Sequence, residues 1–296
     1  MDIGIIGAGS LGLLYSYYLC KNHTITLYTN RKAQADQINT NGLLMIKDGI
    51  HTRVMINADS TRNYKEELLI VTVKQYDIAS VIAEINNLSP RTILFLQNGM
   101  GHLPYLSALL KHHIILGIVE HGALRLDDHT VQHTGVGTTK IAYYNRDNSQ
   151  NTLIEQLETN RQSLFSIEMK DDWREMLAEK LVVNATINPL TSILRVRNGE
   201  LIENDHFIKL LKALFIEVIQ VLGLSNKELL WEHVQNICKT TAQNQSSMYK
   251  DIQNGHQTEI DSILGYLIQQ ATNTQKPIPH ITFLYHAIKG IEVGND

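Results

Sequence analysis

Gly7-Ala8-Gly9-Ser10-Leu11-Gly12 constrains the fold of this chain more than any other feature, because it follows the apolar run Ile3–Ile6 directly and opens the helical stretch Leu11–Lys21. Between a strand and a helix the three glycines have separate tasks. Gly7 permits the tight turn, Gly9 lets the backbone approach a pyrophosphate, and Gly12 lets helix and strand pack closely. Free amides and the helix dipole at the N-terminus favour an anion there. A chance glycine cluster is the alternative, and the position straight after an N-terminal apolar strand counts against it. The chain is thus expected to begin with a dinucleotide-binding α/β domain.

The same alternation continues. Strands are predicted at Ile3–Ile6, Thr24–Thr29, Leu68–Val73, Thr92–Leu96, Ile114–Val119 and near Thr139–Tyr144, with helices at Leu11–Lys21, Ile78–Ile85 and Leu103–Leu110. Short apolar runs separated by helices are the pattern of a parallel sheet with crossover helices. After the polar stretch Asn145–Asn151 the pattern changes, and from Trp173 onward apolar residues recur at helical spacing. The charged stretch Met169-Lys170-Asp171-Asp172 marks the boundary. The expected architecture is α/β, with a Rossmann-type doubly wound sheet over residues 1–168 and an all-helical substrate domain over residues 169–296.

Composition narrows the function. A chain of 296 residues with 43% hydrophobic and 19% charged residues folds almost throughout, and its length suits two cores. The net charge is −4 and no basic stretch is long enough to track a phosphate backbone, so nucleic acid is not an expected partner. Cys20 and Cys238 read as buried thiols rather than a disulfide or zinc set, and no metal is expected. The start lacks a signal-peptide pattern, and no apolar run approaches the ~20 residues of a bilayer span. A cytoplasmic protein without membrane partners is the expectation.

At the end of the second strand stands Thr29-Asn30-Arg31-Lys32. An NAD-specific protein usually carries Asp or Glu there for the ribose hydroxyl; Arg31 instead suits a 2′-phosphate, which favours NADPH. The plainer reading is that Arg31 and Lys32 start a solvated helix. Lys74 and Asn98 both follow apolar strands, at the carboxyl ends where open α/β sheets bind ligands, although turn chemistry alone also explains Asn98-Gly99-Met100-Gly101.

In the helical half, Lys180, Asn184 and Asn188 fall at i, i+4 and i+8 on one helix face. Asn is a poor helix former, and two of them aligned with a lysine amid Leu, Val and Ile suggest a cavity lining; a hydrogen-bonded polar core is the alternative. Asn198-Gly199-Glu200 reads as a turn. Asn244 and Ser247 are expected on adjacent helical turns as carboxylate-binding donors. Thr258 reads as an N-cap, which places Glu259 in a first turn where the dipole favours the ionised carboxylate as an acceptor.

With Val71-Thr72-Val73-Lys74, Lys180-Leu181-Val182-Val183-Asn184, Ile187-Asn188-Pro189-Leu190-Thr191, Ser246-Ser247-Met248 and Thr258-Glu259-Ile260-Asp261 in this order, the chain resembles the ketopantoate reductases along essentially its full length. The resemblance implies a helical domain similar to the 6-phosphogluconate dehydrogenase C-terminal-like fold and a role in pantothenate biosynthesis. It implies transfer of the pro-S hydride of NADPH to ketopantoate, giving (R)-pantoate and NADP+. Lys180 and Glu259 would be catalytic, and Asn98, Asn184, Asn188, Asn198, Asn244 and Ser247 would join them in holding substrate. Gly7, Ala8, Gly9, Ser10, Leu11, Gly12, Arg31, Lys74, Asn98, Ala123 and Glu259 would contact the cofactor. The family resemblance allows a homodimer. Val119-Glu120-His121-Gly122-Ala123 departs from many relatives before its alanine, and Glu120 and His121 receive no catalytic role. Two alternatives remain: a 2-hydroxy acid dehydrogenase acting on another 2-keto acid, and a non-enzymatic NADPH-sensing module, in which Lys180 and Glu259 would have no use.

Overall fold

A computed structural model of the chain describes residues 1–145, 157 and 164–294. Beyond Asn145, the polar stretch Asn145–Asn151 lies outside the described residues. The chain divides into two compact units, Met1–Gln97 with Pro104–Met176, and Asn98–Leu103 with Leu177–Asp296.

The first unit is built on an eight-stranded sheet. Its strands are β1 (Asp2–Ile6), β2 (Thr24–Tyr28), β5 (Asn57–Asp59), β6 (Leu68–Val71), β7 (Thr92–Phe95), β8 (His113–Val119), β11 (Thr138–Tyr143) and β12 (Ser166–Met169), and their order is β12-β11-β8-β7-β6-β1-β2-β5. From β5 to β8 every pairing is parallel; β11 runs antiparallel to β8 and parallel to β12. Every residue of β6 and β7 is buried, as in parallel sheets covered on both faces. The chain leaves β1 toward β2 on one side and returns to β6 on the other. That reversal is the switch point at whose carboxyl edge such sheets bind ligands.

Helix α1 (Ser10–Leu19) is apolar nearly all round and buries Leu13, Leu14, Tyr15, Tyr17 and Leu19, as a helix covered on more than one side must. The extra cover is a second sheet that the sequence pattern did not announce, of order β4-β3-β10-β9, formed by β3 (Leu43–Lys47), β4 (Ile50–Val54), β9 (Gly122–Arg125) and β10 (Thr130–Gly135). Its β3–β4 hairpin turns at Asp48-Gly49, whose φ angles of 49° and 77° are those of a two-residue primed turn. The tyrosine hydroxyls of α1 are then satisfied across the layers: Tyr15 pairs with Thr139, Tyr17 with Thr52 (2.7 Å) and Tyr18 with His133 Nδ1 (2.7 Å). Helices α2 (Lys32–Asn41) and α3 (Ile78–Ile85) complete the crossovers.

The expected strands are present, with ends shifted by one or two residues. The helix expected at Leu103–Leu110 is present as a tighter 3-10 segment, Leu103–Leu109. Cys238 is buried, but Cys20, at the end of α1, is only half-buried.

The second unit is helical: α4 (Trp173–Leu194), α5 (Glu200–Glu203), α6 (Phe207–Leu222), α7 (Lys227–Thr240), α8 (Ser247–Gln253), a π-helical segment Asp261–Gly265, α9 (Tyr266–Thr274) and α10 (Pro279–Gly294). Its core centres on α6, which buries Leu211, Leu214, Phe215, Val218 and Ile219 and packs against α9 and α10. Among the described residues no helix is long and apolar enough to cross a membrane.

Candidate active site

The glycine loop is braced from three sides within the first unit. Gly7 N donates to Tyr28 O (3.0 Å), Thr72 Oγ1 donates to Gly7 O (2.8 Å), and Gln34 Nε2 on α2 donates to Ala8 O (3.0 Å), which Arg125 Nη1 also reaches at 3.4 Å. Two of the glycines are demanded by the chain itself. Gly7 has φ 108°, and a β-carbon on Gly12 would lie 1.8 Å from Gly7 O. Gly9 is different: its φ is −81° and an added β-carbon would meet nothing within 4 Å. Nothing in the fold fills the space beside Gly9, which leaves the backbone open to a close approach. No acidic residue sits in the first turn of α1, which leaves the dipole free for an anion. The loop fits a pyrophosphate.

Arg31 precedes α2 in extended conformation and ion-pairs with Asp128 while its side chain stays half exposed. Lys74 lies three residues beyond β6 and leads into a 3-10 turn at Gln75–Asp77. Ala123 is partly buried on β9. The bracing residues Thr72, Gln34 and Arg125 were not singled out from the sequence. Thr72 stands inside a quoted motif, whereas Gln34 and Arg125 carry no local signal.

In the second unit the sequence-derived residues fall into three groups. Lys180, Asn184 and Asn188 do share a face of α4; Lys180 and Asn184 are half-buried and Asn188 is 8% exposed, while Leu181, Val182 and Ala185 are in the core. Pro189 withholds the amide that Ala185 O would accept one turn below, beside this stripe.

Asn98 and Glu259 form the second group. Asn98 Nδ2 donates to Glu259 Oε2 at 2.8 Å across 161 residues of sequence, and Glu259 is 8% exposed. Both sides of this bond are fixed. Gly99 has φ 75° and Met100 N donates to Ser262 O (3.0 Å), a carbonyl on the first turn of the π-helical segment. On the other side Thr258 donates to Glu292 Oε1 of α10 through its amide (2.8 Å) and its hydroxyl (2.6 Å), while Lys289 bridges Glu292 (3.0 Å) and Asp261 (3.1 Å). The hydroxyl of Thr258 also accepts from Ile260 N (3.2 Å), but the helix begins only at Ile260, so Glu259 stands just before the first turn rather than inside it and Thr258 lies one residue ahead of the N-cap position.

Asn198 and Asn244 form the third. Asn198 N donates to Asn244 O (3.0 Å) and Asn198 Nδ2 to Thr241 Oγ1 (2.9 Å); Asn198 Oδ1 is buried and has no hydrogen-bond partner among the described residues. One expectation is corrected here. Asn244 is not on a helical turn adjacent to Ser247, because Ser246 takes an extended conformation and accepts from Tyr249 N (3.2 Å), so α8 starts only at Ser247. Thr191 Oγ1, hydrogen-bonded to Ser246 Oγ (2.8 Å), ties that cap to α4.

Residues 3–146 match the protein family described as "Ketopantoate reductase PanE/ApbA", and residues 172–292 match "Ketopantoate reductase PanE/ApbA C terminal". A 2-dehydropantoate 2-reductase from Bacillus subtilis (strain 168) is 42% identical over 293 residues, covering 99% of this chain and 98% of that protein. The chain belongs to the ketopantoate reductase family. The crystal structure of a probable 2-dehydropantoate 2-reductase from Bacillus subtilis superposes with a TM-score of 0.91 at 42% identity, over 98% of this chain and 100% of that one. A D-mandelate dehydrogenase, solved with NADH and anilino(oxo)acetate, shares the fold at a TM-score of 0.88 and 21% identity, over 100% of this chain and 99% of that one.

Proposed function

We infer that this protein is a 2-dehydropantoate 2-reductase that uses NADPH. It is an oxidoreductase of CH–OH groups with a nicotinamide dinucleotide as cofactor, in keeping with its full-length relative at 42% identity. The observation that carries the reading at the site is the Asn98–Glu259 hydrogen bond of 2.8 Å, which brings an amide and a carboxylate together across 161 residues of sequence. The pair is braced on both sides, with Glu259 buried and Asn98 half-buried, so the carboxylate is held in one orientation toward a ligand.

When bound, NADPH supplies the hydride for the keto carbon. The oxygen of that carbonyl then gains negative charge, and the Lys180 ammonium stabilises it and gives up the proton that completes the hydroxyl. Asn184, Asn188, Asn244 and Ser247 offer donors to the substrate carboxylate. Asn198 Oδ1, buried and unpartnered among the described residues, suits a donor such as the terminal hydroxyl of 2-dehydropantoate. Glu259 accepts from a substrate hydroxyl while Asn98 keeps it oriented. Arg31, without a neighbouring carboxylate on its own strand end, is the group for the ribose 2′-phosphate, and its exposed pair with Asp128 is weak enough to exchange for it.

The decisive assay is oxidation of NADPH with 2-dehydropantoate, beside NADH and beside pyruvate and other 2-keto acids. The expected result is the highest kcat/KM with NADPH and 2-dehydropantoate. A better keto acid would make this a different 2-hydroxy acid dehydrogenase, and no turnover with any of them would leave a nucleotide-binding module.

A further inference from the structure

Arg62 stands outside every motif considered so far. It follows β5 with φ 56°, donates through Nη2 to Asn30 Oδ1 (3.0 Å), and ion-pairs through Nη1 with Glu84 of α3. Asn30 is the residue between the end of β2 and Arg31. With Gly7, Thr29, Asn30, Val73 and Asp77, Arg62 lines a cleft at the carboxyl ends of β1, β2 and β6. We propose that Arg62 is a specificity-determining residue of the cofactor site, a second guanidinium that contacts the ribose 2′-phosphate beside Arg31. This rests on the NADPH reading above.

The placement is that of the ribose. In a doubly wound sheet the group at the end of the second strand faces the 2′-position, and Arg62 is bonded to the side chain found there. Its chemistry fits as well. A guanidinium presents five N–H donors in a planar fork; Asn30 and Glu84 engage two, and the rest remain for a phosphate. A carboxylate at position 30 would pair with Arg62 and repel the phosphate, whereas the neutral amide of Asn30 aims the fork and leaves its charge intact. Arg31 by itself is a side chain 56% exposed on a flexible stem, and a second fork held by two partners supplies the orientation it lacks. Glu84 opposes binding, since it competes for the same guanidinium. Tyr64 donates to its second oxygen (2.8 Å), which keeps Glu84 in place when a ligand arrives.

The test is calorimetric titration of the full-length protein with 2′,5′-ADP and with 5′-AMP, two probes that differ only by the 2′-phosphate. The wild type should bind 2′,5′-ADP more tightly. Arg62→Ala should weaken 2′,5′-ADP by about tenfold, the loss expected of one charge-assisted contact, and 5′-AMP by no more than about twofold. Glu84→Gln should strengthen 2′,5′-ADP and leave 5′-AMP unchanged, a gain that adding Arg62→Ala should abolish and that a merely structural Arg62 would leave in place. Should Arg62→Ala fail to fold, Arg62→Lys is read in its place and should weaken 2′,5′-ADP alone, because it loses the fork. A wild type that discriminates between the probes while the Arg62 variants lose both equally, or neither, overturns the role of Arg62. A wild type that does not discriminate overturns the NADPH reading itself.

Discussion

Gly99 carries a constraint that no other residue type meets. Its φ is 75°, and an added β-carbon would lie 2.2 Å from Ser262 O, the acceptor that anchors the loop through Met100 N. Gly99→Ala should therefore cost about 2 kcal/mol or more from the left-handed backbone and the displaced carbonyl, and should separate Asn98 from Glu259. Scanning calorimetry with steady-state kinetics checks it: a lowered Tm together with a raised KM for 2-dehydropantoate is expected, and wild-type values for both would show that the loop does not hold the pair. Lys180 tests the chemistry rather than the scaffold. Lys180→Ala should lose ~10²–10⁴-fold in kcat, the usual contribution of a positioned acid, while NADPH still binds with its normal Kd. Near-normal turnover by a folded variant would transfer the proton donor to another group, with Glu259 next in line. Both residues stood in motifs legible from the sequence, but Gly99 looked like any turn glycine until the carbonyl facing it was known.

At the scale of the element, α4 carries a buried apolar face and a half-buried polar stripe within a single turn. Leu181 is 1% exposed and Asn184 is half-buried on the polar stripe. Leu181→Ala should lower stability by ~2–5 kcal/mol through a core cavity, with KM values unchanged. Asn184→Ala should raise the KM for 2-dehydropantoate by about tenfold and leave that for NADPH alone. If urea denaturation instead showed Asn184→Ala strongly destabilised with an unchanged KM, the stripe would be a polar core network. The stripe was legible because helical periodicity is local. The second sheet was not, even though Asp48-Gly49 between two short β-type runs is a strong hairpin signal. Ile50–Val54 is almost wholly exposed and so lacks the alternation that marks a half-buried strand, which leaves the Asp-Gly turn without a recognisable second strand.

Across the whole molecule, buried histidines are expected to weaken the fold as pH falls. Burial holds His102, His112 and His121 at about 4, well below the ordinary 6.5; neighbouring cations add to this at His112, and His133 adds to it at His121. The unfolded chain takes up these protons first as pH falls, so stability is level above about pH 6.5 and declines from there toward about 4. Urea midpoints measured from pH 7.5 downward should show that decline. His121→Asn keeps an acceptor for Gly137 N, which His121 Nδ1 receives at 3.2 Å, so the gap between wild type and variant should narrow as pH falls; a constant gap would remove His121 from this account. What the sequence determined unaided was the glycine loop between strand and helix, the order of the parallel strands' apolar runs, the helical second half and the Lys180 stripe. Each depends on residues within a few positions of one another, where sterics, periodicity and capping act directly. The tertiary structure alone decided that Asn98 meets Glu259, that Gln34 and Arg125 hold Ala8, that Arg31 pairs with Asp128 and Arg62 with Asn30. Those pairs are distant in sequence, and which of them meet depends on which apolar faces bury together, a property of the assembled cores rather than of any local stretch.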